Sequence, residues 1–295
     1  MQREITQEMA KDRLPRREAD ANKGSFGSVL AAAGSMAYRG AAALCTEGAL
    51  RAGAGLVYLA SVEPVVQIVL TRTPECCACG CRTAANGGIH PQDAGALRSW
   101  FDGKNTVLLA GPGLGGSAAP VCNALLGKKA PWSAAVLDAD ALNALAAGKI
   151  KGPLPDQTVI TPHPGEAARL LDCTVGEVQA DREAAARRLA GMYHCIAVLK
   201  GRGTLIATPG GEVYHNPTGS AGLAKGGSGD ILAGLLSGLL AAGLKQGRTA
   251  EDAAIAAVWL HGAAGDRCAK RLGMAAMLPH DIFADLGAIF AELER

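Results

Sequence analysis

Residues 222–244 read GLAKGGSGDILAGLLSGLLAAGL. The continuous apolar run after Asp230 predicts a buried helix over residues 227–242. The start of such a helix, with its free N–H groups and positive dipole end, suits a phosphate or another oxyanion. Asp230 could simply cap the helix, but four small residues in a row exceed what a cap needs. The stretch therefore predicts a base, Asp230, beside an anion hole formed by Gly226, Gly227, Ser228 and Gly229.

Upstream of this stretch, short apolar runs alternate with helix-like segments. We predict strands over residues 28–33, 56–61, 106–110, 134–138, 158–161 and 195–200, and a hairpin over 204–207 and 213–216. We predict helices over residues 41–52, 92–101, 118–126, 165–171 and 181–193, and later over 249–271, with a Thr249/Asp252 capping box, and 281–293. This order indicates a mainly parallel sheet with helices on both faces, which binds ligands at the carboxyl ends of its strands.

Composition narrows the class of protein. Of 295 residues, 49% are hydrophobic and 19% charged, and the net charge is +2, so no basic excess points to nucleic acid. The 39 glycines and few aromatics fit an α/β enzyme with tight loops better than a β-sandwich. The apolar run over 231–244 is shorter than the roughly 20 residues of a membrane span. We expect a single domain over residues 24–295, a charged segment over 1–23 without a secretory signal, and a cytoplasmic protein that contacts no membrane.

Nine cysteines in a chain of this kind predict reduced thiols rather than a disulfide framework. Four of them stand close together, at Cys76, Cys77, Cys79 and Cys81. The spacing lacks the separated CxxC pairs of zinc sites, so a cysteine-containing strand or loop is favoured over a soft-metal site.

A glycine motif in LLAGPGLGGS imitates a dinucleotide fingerprint. Gly111, Gly113 and Gly116 fit GxGxxG, and Asp138 follows at the end of the next strand. Because Pro112 occupies the tight turn and a better phosphate site exists, we favour a loop that merely touches a ligand. An NAD-dependent oxidoreductase remains one alternative.

Three further loops follow predicted strands on the same edge of the sheet. VITPHPGE contains His163 and Glu166 between stiffening prolines, and KGRGT spans residues 200–204 with glycines that allow close approach to a ligand. VLDADALNAL adds Asp138, Asp140 and Asn143. Together with the anion hole, these loops predict a ligand site rather than scaffold.

The motifs resemble the ADP/ATP-dependent NAD(P)H-hydrate dehydratases, a metabolite-repair family with the ribokinase-like fold. GGSGD alone indicates that superfamily, whereas TPHPGE together with KGxGT and GPGLG is specific to the dehydratases. The matching segments, in order, are KGSFGSVLAAAGS, YRGAAALCTEGALRAGAGLVYLAS, LLAGPGLG, VLDADALNAL, VITPHPGEAARLL, VLKGRGT, NPTGSAGLAKGGSGDILAGLLSGLLAAGL and AAVWLHGAAGD. The resemblance implies a single three-layer α/β/α domain with a mainly parallel central sheet.

The resemblance also implies a lyase that dehydrates the S form of hydrated NADH or NADPH (NADHX, NADPHX). ADP would be cleaved to AMP and phosphate, or ATP in its place, with Mg²⁺ as cofactor. It implies a homo-oligomer, a tetramer, that works with a separate NAD(P)HX epimerase.

Residue roles carry over from the matching motifs. The resemblance assigns to AMP or ADP the residues Lys200, Gly201, Arg202, Gly203, Thr204 and Gly229. It assigns to the hydrated dinucleotide Ala41, Gly113, His163 and Asp230, and it makes Glu166 a magnesium partner through water. The cysteine cluster has no counterpart in the resemblance. The alternatives are a kinase of the same fold for hydroxyethylthiazole or hydroxymethylpyrimidine, and a nucleotide-sensing protein without turnover.

Overall fold

The computed structural model describes residues 2–101, 104–127 and 130–294. Within these ranges one sheet contains the strands β1 (Gln2–Glu4), β2 (Ser28–Ala32), β3 (Leu56–Val62), β4 (Cys77–Cys81), β5 (Thr106–Ala110), β6 (Ala134–Leu137), β7 (Thr158–Ile160), β8 (Ile196–Leu199), β9 (Leu205–Ala207) and β10 (Val213–His215). The α-helices are α1 (Gln7–Asp12), α2 (Arg39–Arg51), α3 (Glu63–Arg72), α4 (Pro91–Trp100), α5 (Ala118–Leu125), α6 (Asp140–Ala146), α7 (Pro164–Leu171), α8 (Val175–Ala180), α9 (Arg182–Tyr193), α10 (Ser228–Leu244), α11 (Ala250–Leu272) and α12 (Ile282–Leu293).

The strands lie in the order β1-β10-β9-β8-β7-β6-β5-β2-β3-β4. Strand β9 runs antiparallel to both β8 and β10, and every other pairing is parallel. Alternate residues of each strand face opposite layers: Val29 packs with α2, α10 and α11, whereas Leu30 packs with the layer of α4 to α9. The predicted three-layer architecture with a mainly parallel sheet is confirmed.

The predicted strands, the hairpin and the long helices are present, with shifts of a few residues at their ends. The capping box of α11 is confirmed, since Thr249 N donates to Oδ2 of Asp252 at 3.0 Å and Asp252 N donates to Oγ1 of Thr249 at 3.2 Å. The sequence analysis missed β1, α1, α3, α6 and α8, and it left the cysteine segment open as a strand or a loop. Cys77–Cys81 forms β4, as the interpretation of a cysteine-containing strand allowed.

The first residues of the chain join the same sheet. Strand β1 pairs with β10, and Ile5, directly after it, is fully buried. The boundary that we place before residue 24 stays a prediction. Within the described ranges, no helix combines the length and the apolar character that crossing a bilayer requires.

Candidate active site

The predicted loops meet at one edge of the sheet because the strands before them are parallel. The start of α10 reaches this edge: a Cβ atom built on Gly229 would lie 3.3 Å from Nζ of Lys200 and 3.8 Å from Oδ2 of Asp138. Two predicted substrate residues also adjoin each other, since a Cβ built on Gly113 would lie 3.0 Å from the Cβ of Ala41. The structure therefore brings the KGRGT loop and the predicted anion hole together at one place.

The N-terminus of α10 presents unoccupied amides. Gly227 precedes the helix with a φ of +102°, a left-handed conformation that glycine adopts without strain. The amide of Ser228 turns inward and donates to the carbonyl of Lys225 at 3.3 Å. In the described part of the chain, no hydrogen bond occupies the amides of the other three residues of the predicted anion hole or of Asp230. These donors, at the positive end of a long buried helix, suit a phosphate group.

Asp230 lies in the first turn of α10 but does not cap it. Among the described residues, no hydrogen bond links its carboxylate to a helix amide. Burial raises the pKa of Asp230 to about 6, with the charge of Asp138 adding to the effect and that of Lys200 opposing it. A carboxylate with this pKa is mostly ionised at neutral pH and is a better base than an exposed aspartate.

A buried ion-pair cluster lies beneath the anion hole. Nζ of Lys200 is 2.7 Å from Oδ1 of Asp138 and 3.9 Å from Oε2 of Glu166. The hydroxyl of Thr161 also donates to Oδ1 of Asp138, at 2.8 Å. Burial would lower the pKa of Lys200, but Asp138 and Glu166 raise it overall, so the lysine stays positively charged. This positive charge lies next to the start of α10, since Nζ of Lys200 is 3.3 Å from a Cβ built on Gly229.

Asp138 is only 1% exposed, and its partners in this cluster occupy the oxygen that faces them. A ribose-binding acid of a dinucleotide fingerprint must present its carboxylate to the ligand. The arrangement therefore argues against the oxidoreductase interpretation.

His163 and Glu166 form a capping box at the start of α7. Nδ1 of His163 accepts from the amide of Gly165 at 3.0 Å, and Oε2 of Glu166 accepts from the amide of His163 at 2.8 Å. Burial, with Lys200 in the same direction, lowers the pKa of His163, which is therefore neutral at pH 7. Burial raises the pKa of Glu166 to about 7 against the opposing charge of Lys200. The loop thus presents a neutral imidazole and a weakly acidic carboxyl.

The KGRGT loop receives hydrogen bonds from a residue that the sequence analysis missed. The guanidinium of Arg182, at the start of α9, donates to the carbonyls of Leu199 at 3.2 Å and Gly203 at 3.3 Å. Within the loop, the hydroxyl of Thr204 donates to the carbonyl of Gly201 at 2.9 Å. Arg202 is exposed at the surface of the loop. No local motif marks Arg182, because its partners are 17 to 21 residues away in the sequence.

The cysteine cluster lies apart from this site, on the edge strand β4. All nine cysteines are free, and in the described ranges no three His, Cys, Asp or Glu side chains form a group that could hold a metal ion. Cys79 and Cys81 are buried in the core, and burial raises the pKa of Cys81 to about 12. A thiol with this pKa is neutral, and these two side chains pack into the core from an edge strand.

A family model described as NAD(P)H-hydrate dehydratase matches residues 29–287. The chain belongs to this family. It is 40% identical to a bifunctional NAD(P)H-hydrate repair enzyme of Moorella thermoacetica, over 99% of this chain and 54% of that protein. It is 38% identical to an ADP-dependent (S)-NAD(P)H-hydrate dehydratase of Neisseria meningitidis, over 89% of this chain and 84% of that protein.

Solved structures of the family have the same fold. An ADP/ATP-dependent NAD(P)H-hydrate dehydratase of Bacillus subtilis, co-crystallised with ATP and Mg²⁺, matches with a TM-score of 0.83 and 31% identity over 99% of both chains. The chain spans about half the length of the first curated relatives that it matches, which are bifunctional repair enzymes.

Proposed function

We propose that the protein dehydrates the S form of NADHX or NADPHX to NADH or NADPH, coupled to cleavage of ADP to AMP and phosphate. The observation that carries this proposal is the buried carboxylate of Asp230, with its raised pKa, beside amides at the start of α10 that no hydrogen bond occupies in the described part of the chain. Family membership and the ADP-dependent relative support the same activity.

In the proposed mechanism, Asp230 takes the proton of the hydroxyl on the hydrated nicotinamide ring. The oxygen then bonds to the terminal phosphorus of ADP while the bond to AMP breaks, and the α10 amides and Lys200 stabilise the charge of the transferred group. The ring carbon–oxygen bond breaks with loss of a neighbouring ring proton, which gives the dihydronicotinamide and inorganic phosphate. Phosphorylation matters because phosphate leaves far more readily than hydroxide.

Two groups of residues complete the site in this proposal. The loop over residues 200–204 and Gly229 bind the nucleotide, supported by the close approach of Gly229 to Lys200. Ala41, Gly113 and His163 bind the hydrated dinucleotide, supported by the contact between the first two positions.

Magnesium fits this site only as an ion held largely by phosphate and water. The described residues supply no group of three metal-ligating side chains, and Oε2 of Glu166 already accepts from the amide of His163. Mg²⁺ commonly keeps several waters and uses one or two carboxylates with substrate phosphates. Glu166 would hold it through water, and a bound ion would neutralise phosphate charge.

We further propose a cytoplasmic homotetramer that works with a separate NAD(P)HX epimerase. The support for the epimerase is that several relatives are bifunctional repair enzymes. Light scattering after size-exclusion chromatography would measure the assembly, and a monomer would contradict the tetramer.

The test of the activity is incubation of the protein with NADHX and with NADPHX, each with ADP, with ATP or without nucleotide. We expect absorbance of reduced nicotinamide to appear only with a nucleotide, faster with ADP, with equal amounts of phosphate released. Equal turnover without nucleotide would contradict the proposal. A stable phosphorylated alcohol formed from hydroxyethylthiazole would instead indicate the kinase.

A further inference from the structure

The segment AAVWLHGAAGD of α11 takes no part in the proposed mechanism, yet it lies directly against the start of α10. His261 is 9% exposed, and its Nε2 lies 3.3 Å from Oγ of Ser228, the first residue of α10. Among the described residues, this is the one side-chain hydrogen bond of the Ser228 hydroxyl. A buried histidine on α11 thus contacts a residue of the predicted anion hole.

Other residues of α11 hold the loop that leads into the predicted anion hole. Oδ2 of Asp266 accepts from the amide of Gly219 at 2.9 Å, and the hydroxyl of Thr218 donates to the carbonyl of Trp259 at 3.1 Å. A Cβ on Gly262 would collide with Thr218, so this glycine is needed for the close approach. Helix α11 therefore contacts both the start of α10 and the loop before it.

The position of the Ser228 hydroxyl matters because serine side chains can bond neighbouring backbone amides, including the amide two residues further on. For Ser228 that partner is the amide of Asp230, which no hydrogen bond occupies in the described structure and which a phosphate could use. A hydroxyl turned toward this amide would compete with the nucleotide. In the structure the hydroxyl points to His261 instead.

We propose that His261 is a positioning residue that holds the Ser228 hydroxyl away from the phosphate-binding amides of α10. The inference rests on the proposed nucleotide site and adds a residue to it. Burial lowers the pKa of His261 to about 4, so the ring is neutral and acts through its hydrogen bond rather than through a charge.

The test compares His261→Leu, His261→Gln and Ile255→Ala in the full chain. Ile255 is a fully buried residue of the same helix that takes no part in the site, so its variant controls for lost packing. We expect His261→Leu to raise the KM for ADP about tenfold and to shrink the ADP-induced rise in Tm. His261→Gln can still bond Ser228, so its KM for ADP and its ADP-induced rise in Tm should lie close to the wild-type values. Ile255→Ala should lower Tm without changing the KM. Equal KM values for His261→Leu and Ile255→Ala would overturn the proposal.

A double variant tests the role of the hydroxyl itself. In the His261→Leu background, Ser228→Ala removes the competing group, so the double variant should bind ADP at least as well as His261→Leu alone. A KM for ADP in the double variant that is higher than in His261→Leu, so that the losses from the two substitutions multiply, would overturn the proposal. If the wild-type protein shows an ADP-induced rise in Tm but no dehydration, the proposed reaction is contradicted. The ADP-induced rise in Tm of the His261 variants would then still test the role of His261. No ADP effect on wild-type Tm would overturn both.

Discussion

At Asp230, burial and a neighbouring carboxylate raise the pKa to about 6, in a group that makes no capping hydrogen bond in the described structure. We expect Asp230→Asn to lower kcat by about 10² or more, because it removes a positioned base while keeping the shape of the side chain. The ADP-induced rise in Tm should persist. Near wild-type kcat in this variant would show that Asp230 is not the base.

The same raised pKa gives opposite pH dependences of activity and stability. Activity needs the carboxylate, so kcat should fall as the pH drops below about 6. The folded protein binds this proton more tightly than the unfolded chain, so the stabilisation is complete below the unfolded pKa and is lost as the pH rises through about 6.

Melting temperatures measured from pH 4 to 7.5 test whether the contribution of Asp230 to stability decreases as the pH rises. The Tm of Asp230→Asn minus that of the wild type should increase with pH, because only the wild type loses the protonated form. A difference independent of pH would mean that the pKa of Asp230 is not raised.

At the scale of the element, helix α10 has a glycine with a positive φ near each end. Gly227 before the helix has a φ of +102° and Gly247 after it has a φ of +74°, so alanine at either position adds strain of about 1–2 kcal/mol. No atom lies within 4 Å of a Cβ on Gly247, whereas one on Gly227 would lie 2.6 Å from Cδ1 of Leu44. Both variants should have a lower Tm than the wild type, but only Gly227→Ala should lose the ADP-induced rise in Tm. An undiminished ADP shift in Gly227→Ala would place the phosphates elsewhere.

Helix α9 holds the KGRGT loop, the proposed nucleotide-binding loop, through Arg182. An arginine is unfavourable at a helix N-terminus, which carries a positive partial charge, and its hydrogen bonds to loop carbonyls offset that cost. We expect Arg182→Gln to raise the KM for ADP about tenfold or more. Arg187→Gln is the control, since Arg187 bonds Glu183 on the same helix and, among the described residues, has no hydrogen bond to the loop. Equal ADP affinity of the two variants would contradict the role of Arg182.

Across the whole molecule, the sequence predicts the central strands well because runs such as Thr106–Ala110 are buried at every position and apolar after the first. The edge strands gave weaker signals: Gln2–Glu4 is polar and exposed and was missed, and Cys77–Cys81 mixes exposed and buried positions and was left open as a strand or a loop. The residues of the predicted anion hole are consecutive in the chain, so the sequence alone can indicate them. Thr161 and His261 act on partners 23 and 33 residues away, and only the folded chain brings them together.

The N-terminal residues bind the far edge of the sheet. Ile5 is fully buried, its amide donates to the carbonyl of His215 at 2.9 Å, and β1 before it pairs with β10. We expect Ile5→Ala to cost about 2–5 kcal/mol of unfolding free energy, as other buried isoleucines do, and to lower Tm. Below that Tm, kcat should be unchanged because Ile5 lies outside the proposed catalytic groups. Ile68→Ala is the control, since Ile68 is 41% exposed and should change stability by less than about 0.5 kcal/mol.

Equal melting temperatures for the two isoleucine variants would show that residues 1–23 are dispensable and would support a domain that begins at residue 24. A loss of stability confined to Ile5→Ala would instead make the first strand part of the folding unit. Among the described strands, β1 pairs with β10 alone, and the β9–β10 hairpin begins directly after the KGRGT loop. A ligand stabilises every folded variant that keeps its affinity, so ADP should raise the Tm of Ile5→Ala as much as that of the wild type. Thermal melts of both proteins at increasing ADP concentration would measure the two rises, and a smaller rise in Ile5→Ala would show that the lost contact weakens ADP binding.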